Sequence, residues 1–186
     1  VTGAAKGQKQ VAMITKNGVA IDRLYRGTVD LGYFQPANYD DPRGVAVQEE
    51  ALHWALKAIN KTEKGLGVPL PDGQVTIYEN SPIGPLLAGQ STLDDLAVGQ
   101  DVWIAGGTVP DVQMRVSHLE TKGKRQTWDI TLSNARLHAV NAEIKIPYAG
   151  AGKVKGVEKV DGTPTWTVTV PEQGEAKLRY TIKLGR

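Results

Sequence analysis

Cysteine is absent from the 186-residue chain. The chain therefore has no disulfide framework, no thiolate metal ligand and no cysteine nucleophile. Long apolar runs are absent as well, and none approaches the ~18–20 residues of a membrane helix. There is no basic stripe either, because 22 Lys and Arg and 20 Asp and Glu are spread along the chain and give a net charge of +2. We therefore expect neither a transmembrane segment nor nucleic-acid binding.

The N-terminus lacks the apolar core of a signal peptide, since Val1 to Gln10 is polar. The chain begins with Val1 rather than Met, which is the form that removal of a signal peptide leaves. We therefore interpret the sequence as a mature or trimmed form of a longer precursor.

What the sequence does contain is a regular alternation of apolar and polar residues in its C-terminal third. The longest example runs from Ala176 to Leu184, and shorter ones cover Trp166–Val170, Val140–Ile146 and Trp128–Leu132. A period of two places the apolar side chains of a strand on one face. One-sided burial is typical of antiparallel sheets, and two such faces close on each other as a sandwich. The sequence therefore predicts an all-β protein, an antiparallel β-sandwich of immunoglobulin-like type.

Shorter strands are predicted upstream of this region. Gln74–Tyr78 follows a turn at Pro71-Asp72-Gly73, and Val112–Val116 alternates in the same way. Val102–Ile104 reads as a strand that ends at a break, Gly106-Gly107.

The N-terminal part is predicted to form a β-hairpin extension. Asn17-Gly18 lies between the apolar runs Val11–Ile14 and Val19–Leu24, and both turn residues accept positive φ. The polar stretch Asn38–Gly44 is the best candidate hinge, and a second lies near Thr121–Arg125. The predicted organisation is an extension over residues 1–44 and a β-sandwich domain over residues 45–186, with a possible subdivision near residues 121–125.

One segment, Gln48–Lys61, fits two structures. Its apolar residues have helical spacing between Leu52 and Ile59, but strand spacing between Leu52 and Ala58. Its Glu, Ala, Leu and Lys residues favour a helix. Periodicity and propensity therefore leave both structures open and favour the helix.

The stretch Ile59–Gly73, which ends in Leu-Gly-Val-Pro-Leu-Pro-Asp-Gly, is followed by the strand Val75–Tyr78. It resembles the signature of the mucoidy-inhibitor-A-like family of bacterial proteins, in their C-terminal domain of unknown function. In that family an Asn-Thr-rich turn leads into Leu-Gly-x-Pro-Leu-Pro-x-Gly and a Val-x-x-Tyr strand. The resemblance covers about Val45 to Leu184 and implies that Ala51–Ala58 is a strand. The family's N-terminal domain and coiled-coil region have no counterpart here.

The resemblance implies an exported, envelope-associated β protein, periplasmic or extracellular, whose signal peptide has been removed. It implies no established activity, no catalytic residue and no cofactor. The leading hypothesis is a non-enzymatic binding or structural module that contacts an envelope protein or glycan. The alternatives are a hydrolase acting on an envelope polymer, and a fragment or subunit that another chain completes.

Three histidines are present, His53, His118 and His138. Metal sites commonly pair ligands at spacings such as His-x-His or His-Glu-x-x-His, and neither occurs, so we expect no metal site. His53 alternates out of phase with Trp54 and is expected to be exposed. His118 is expected to be a strand-end histidine with satisfied hydrogen bonds.

No serine or acidic residue stands in a catalytic pattern. Gly89-Gln90-Ser91-Thr92 lacks the second Gly of a nucleophile elbow, and Ser117 beside His118 is expected to point to the opposite face of a strand. The acidic pairs are interpreted as solvated loop residues rather than as a glycosidase pair or a calcium site. These pairs are Asp40-Asp41, Glu49-Glu50 and Asp94-Asp95.

Aromatic residues and one glycine-rich stretch complete the candidates. Trp54, Trp128 and Trp166 share faces with aliphatic residues and are predicted to be core, whereas Trp103 is out of phase and is the tryptophan expected at the surface. The stretch Tyr148–Lys153 fails both phosphate-loop patterns and is interpreted as a connection between strands. Three N-terminal aromatics are expected to pack on the sandwich, with a contact patch as the alternative. These are Tyr33, Phe34 and Tyr39.

Overall fold

A computed structural model describes residues 14–31, 45–148 and 154–183, and all statements below refer to them. These residues form ten β-strands and one 3₁₀ turn, Thr62–Lys64. The strands are β1 Asp22–Thr28, β2 Val45–Ile59, β3 Gly73–Ser81, β4 Gly84–Leu93, β5 Asp101–Lys122, β6 Arg125–Asn134, β7 Val140–Lys145, β8 Val157–Val160, β9 Thr163–Val170 and β10 Gly174–Lys183.

Eight strands form one sheet in the order β10-β6-β5-β2-β1-β7-β9-β8, and β3 and β4 form a second sheet. The predicted all-β class is confirmed. The main sheet curls, so that β10 at one end comes close to β9 near the other end. The prediction of a purely antiparallel sheet is wrong at one pairing, because β1 runs parallel to β7. Parallel neighbours need a long connection, and here most of the chain lies between the two strands.

The core lies on the inner face of the curled sheet. The predicted alternation is confirmed on β6 and β10, where Trp128 and Tyr180 are directly opposite each other and almost fully buried. Trp54 and Trp166 are buried too, as predicted. Their neighbours in the cluster come from β1, β2, β5, β7 and β9 and include Tyr25, Leu52, Val112, Met114, Val116, Ala142 and Ile144.

The segment that fitted two structures is a strand. It belongs to β2, which pairs antiparallel with β1 on one side and with β5 on the other. Leu52 and Trp54 are buried while His53 between them is exposed. Pairing with strands on both sides and burial of Leu52 and Trp54 therefore outweigh the intrinsic helix preference of the segment.

The predicted strand break at Gly106-Gly107 is wrong, because β5 continues through both residues to Lys122. The indole of Trp54 lies directly on Gly106, where a Cβ atom would stand 2.1 Å from Trp54 Cε2. Glycine is needed here for close approach of a ring to the backbone. The pairing register of β2 and β5 shifts at this contact, between His53 and Ala55.

The predicted N-terminal hairpin is also wrong for the part that the structure describes. Gly18 has φ +67°, but Asn17 does not share this conformation, and residues 14–21 contain no strand. From Leu24 to Arg26, β1 is paired on both sides, with β2 and with β7. Residues 11–13 lie outside the described residues. The division at residue 44 stays a prediction, and residues 121–125 lie at the short turn between β5 and β6.

Candidate interaction surface on the β3–β4 hairpin

The second sheet is a hairpin in which β3 and β4 are joined by the two residues Pro82 and Ile83. Ser81 and Gly84 face each other at its tip, where the Ser81 hydroxyl donates a hydrogen bond of 2.6 Å to the Gly84 carbonyl. Pairing continues down to Gly73 opposite Leu93. The predicted strand Gln74–Tyr78 is thereby confirmed as part of β3.

The inner half of this hairpin packs on the main sheet. Ile77 is packed against the hydrophobic core, and Gly89 lies against the indole of Trp54. Above this level the register shifts, since Ile77 pairs with Gly89 but Tyr78 pairs with Leu87. The extra residue on β4 is a β-bulge, which bends a strand and turns its side chains. The bulge therefore separates a packed inner half from an outer half.

The outer half, Tyr78–Leu87, presents large apolar side chains to solvent. Tyr78, Ile83, Leu86 and Leu87 are 62%, 88%, 50% and 60% exposed. They are four of the eight large hydrophobic residues that are exposed within the described ranges. Single exposed apolar residues are normal on proteins, whereas a cluster marks an interaction site. Tyr78 and Leu87 are cross-strand partners on one face, and Leu86 lies on the other.

The hairpin is also almost free of charge. Between Gly73 and Leu93 the one charged residue is Glu79. Its carboxylate accepts a hydrogen bond from the guanidinium of Arg23 on β1. The same guanidinium stands over Trp54, with 4.5 Å between Arg23 Cζ and the ring centroid. The single charge of the hairpin is therefore engaged with the main sheet, and the outer half offers apolar and neutral groups.

An apolar groove lies at the base of the hairpin. It has a cavity volume of about 1170 Å³ and is bordered by Ile14, Val19, Leu66, Leu70, Val75 and Leu93. One wall is the segment that carries the family resemblance. That segment is fixed by Asn60, which is fully buried.

The side chain of Asn60 acts both as a hydrogen-bond donor and as an acceptor. Its Nδ2 donates to the carbonyls of Val68 and Ala97 at 2.8 and 3.0 Å, and its Oδ1 accepts from the Gly67 amide at 3.0 Å. Gly67 has φ +74°, and a Cβ atom there would stand 2.2 Å from the Thr62 hydroxyl. The Asn and Gly of this segment therefore shape the loop that leads into β3.

Comparison of the chain with known proteins found no matching family model, no matching curated protein and no matching solved structure. The family resemblance and the envelope location therefore stay predictions. No helix in the described part of the chain is long and apolar enough to span a membrane.

The three histidines lie on different elements. His53 is exposed and its Nδ1 is 3.3 Å from the Thr108 hydroxyl, and His138 is exposed between β6 and β7. His118 is buried, with Nε2 at 2.9 Å from the Thr121 hydroxyl, as expected for a satisfied strand-end histidine. Burial lowers the pKa of His118. In the ranges described, no three His, Asp or Glu residues group as metal ligands.

Ser117, Glu49 and Asp95 take part in local hydrogen bonds or ion pairs. Ser117 is buried and its hydroxyl accepts a hydrogen bond of 3.3 Å from Arg115 Nε. Glu49 forms an ion pair of 2.8 Å with Arg115, and Asp95 accepts a hydrogen bond of 3.0 Å from the Asp72 amide. Ser91 is half-buried, and Glu50 and Asp94 are exposed. The pair at residues 40 and 41 lies outside the described residues.

Trp103 is half-buried rather than openly exposed. Arg26 Cζ stands 4.1 Å and Lys57 Nζ 4.9 Å from the ring centroid. These distances are those of cation–π contacts. The stacking surface that a sugar would need is therefore shared with two side chains of the protein itself. The aromatics at 33, 34 and 39 and the glycine-rich residues 149–153 lie outside the described residues.

A second groove lies beside β1 and β2, with a cavity volume of about 720 Å³. Its lining includes the side chains of Asp30, Glu50 and His53, together with Arg26 and Lys145. Nothing in the sequence indicated that these residues line one groove. They come from three strands or their ends, and the long-range pairing of β1 with β2 and β7 assembles them.

Proposed function

We propose that this protein is a non-enzymatic binding or structural module of the bacterial cell envelope, and that it works through the outer half of the β3–β4 hairpin. The observation that carries the proposal is the clustering of four exposed apolar side chains on a hairpin with one engaged charge. The envelope location rests on the resemblance of Ile59–Gly73 to the mucoidy-inhibitor-A-like family. The proposal includes an immunoglobulin-like sandwich, which the approach of β10 to β9 supports.

The chemistry of the outer half suits a protein partner better than a sugar. Interfaces are enriched in aromatic residues and depleted of charge at their centres. Tyr78 and its cross-strand neighbour Leu87 provide a rigid anchor of this kind. An open strand edge beside such an anchor can also pair with the backbone of a partner.

The hairpin proposal is tested by site-specific photo-cross-linking in the native host. A photoreactive amino acid replaces Ile83 at the tip, and Leu137, which is 78% exposed between β6 and β7, serves as the matched control position. We expect a discrete cross-linked protein from position 83 and none from position 137. Equal yields at the two positions would contradict the proposal.

A hydrolase that acts on an envelope polymer is the second candidate, and the groove beside β1 and β2 is the observation that favours it. Two carboxylates across a cleft are the usual pair for glycoside hydrolysis. The test is hydrolysis of purified envelope polymers by the pure protein and by an Asp30→Asn, Glu50→Gln variant. Activity that disappears in the variant would establish this function in place of the binding module.

A further inference from the structure

The open strand edges of this protein differ in how they are protected. β8 is one outer strand of the main sheet and is only four residues long, with Glu158 and Lys159 at its centre. β10 is the other outer strand and carries Lys177 and Arg179. Short length and charged side chains are the usual means of preventing edge-to-edge association. The hairpin β3–β4 is less protected, because its strands span nine and ten residues and carry one charged residue between them, Glu79.

The two edges of the hairpin are not equivalent. β4 contains Pro85, which has no backbone N–H to donate, and the strand also lies against β5. β3 has no proline between Gly73 and Ser81 and pairs with no described strand other than β4. The outer edge of β3 is therefore the better template for another strand.

We infer that the outer edge of β3 pairs antiparallel with the same edge of a second copy of this chain, centred on Tyr78. The inference rests on the proposed function of the hairpin and names its partner. Two copies related by a two-fold axis present the same strand in opposite directions, which is the geometry of antiparallel pairing. The two hairpins then form one four-stranded sheet.

Charge favours a second copy as the occupant. With the axis at Tyr78, Glu79 of each chain stands opposite Ile77 of the other, so no like charges face each other across the seam. Each Glu79 also keeps its own Arg23. The net charge of +2 per chain adds little repulsion. A strongly charged segment from another protein would find no counter-charge on this edge.

The low stability of a two-stranded hairpin also favours a second copy as the partner. A two-stranded hairpin is marginal in water, whereas three or more strands with an apolar face are stable. Among the described residues of this hairpin, Ile77 is the one hydrophobic side chain that packs against the core cluster, and it lies in the inner half. Pairing of two copies places Tyr78 between Leu87 of its own hairpin and the equivalent tyrosine of the second copy. Aromatic and aliphatic cross-strand pairs of this kind stabilise sheets.

The absence of cysteine allows a direct test, because a single introduced thiol has no competitor. Tyr78→Cys is oxidised mildly in the purified full chain, and Leu137→Cys is the control. We expect a disulfide-linked dimer from position 78 and monomer from position 137 on a non-reducing gel. Equal yields of dimer from the two positions would overturn the inference.

Sedimentation of the unmodified chain is the second measurement. We expect a concentration-dependent dimer that Tyr78→Lys abolishes and Leu137→Lys leaves intact. Mixing Tyr78→Lys with Tyr78→Glu is expected to restore the dimer, because opposite charges then meet at the axis. A chain that stays monomeric at all concentrations would overturn the inference.

The experiments separate failure of the proposed dimer from failure of the proposed binding function. If position 83 cross-links to another protein while the chain sediments as a monomer, the second copy is wrong and the binding function stands. If position 83 gives no specific product and the chain is a monomer, both are wrong.

Discussion

Replacing Asn60 by alanine tests how the loop before β3 is held. The change removes hydrogen bonds to the carbonyls of Val68 and Ala97 and from the amide of Gly67, at 2.8, 3.0 and 3.0 Å. A hydrogen bond contributes about 0.5–1.5 kcal/mol net, and a buried group left unpaired costs about 1–3 kcal/mol. We therefore expect Asn60→Ala to lower the free energy of unfolding by about 3 kcal/mol.

The assay is urea unfolding followed by tryptophan fluorescence and circular dichroism. Asn141→Ala is the matched control, since Asn141 is exposed and its side chain accepts one hydrogen bond of 2.8 Å from the Thr169 hydroxyl. We expect the control to lose at most about 1 kcal/mol. If the slope of the free energy of unfolding against urea concentration is the same in both variants as in the parent protein, the surface exposed on unfolding is unchanged. Equal losses in the two variants would refute the role assigned to Asn60.

Three further changes probe the core. Gly106→Ala places a Cβ 2.1 Å from the Trp54 indole, whereas Gly107→Ala meets no atom within 4 Å. We expect unfolding measurements to show a loss of about 2 kcal/mol or more for Gly106→Ala and much less for Gly107→Ala, and equal losses would contradict this packing. The buried hydroxyl of Tyr180 has no hydrogen-bond partner among the residues that the structure describes. Tyr180→Phe is therefore expected to keep the urea midpoint or raise it, and a marked fall would reveal a missed partner. Burial lowers the pKa of His118 from the ordinary value of 6.5. The unfolded chain therefore binds more protons in the window just below pH 6.5, so stability should fall as the pH falls through that window. His118→Gln should flatten this pH dependence of the urea midpoint, and an unchanged slope would assign it to another group.

Local sequence pattern predicted the strands that carry a clean alternation. β6 and β10 follow from Trp128–Leu132 and from the alternation that begins at Ala176, because one face of each is buried. The parallel pairing of β1 with β7 was not predictable in this way, since it joins distant parts of the chain. Gly106 was misread as a break because the indole that requires it lies on another strand.

The candidate surface was harder to predict than the fold. β4 has adjacent leucines at 86 and 87 instead of an alternation, and Tyr78 lies on the face of β3 opposite to Ile77, as the next residue of a strand does. The exposure of Tyr78 and Leu87 depends on which face of the hairpin packs against the main sheet, and that is set by tertiary contacts. The sequence did contain one signal, since Glu79 is the one charged residue between Gly73 and Leu93. The second strand of this segment also lacks the apolar–polar alternation of a strand with one buried face.

The most direct measurement of the central claim compares photo-cross-linking from position 83 with that from position 137 in intact host cells. We expect a discrete product at the hairpin tip, reduced by Tyr78→Lys, and background at the control position. Background yield at position 83, in a variant whose circular dichroism matches that of the parent protein, would contradict it.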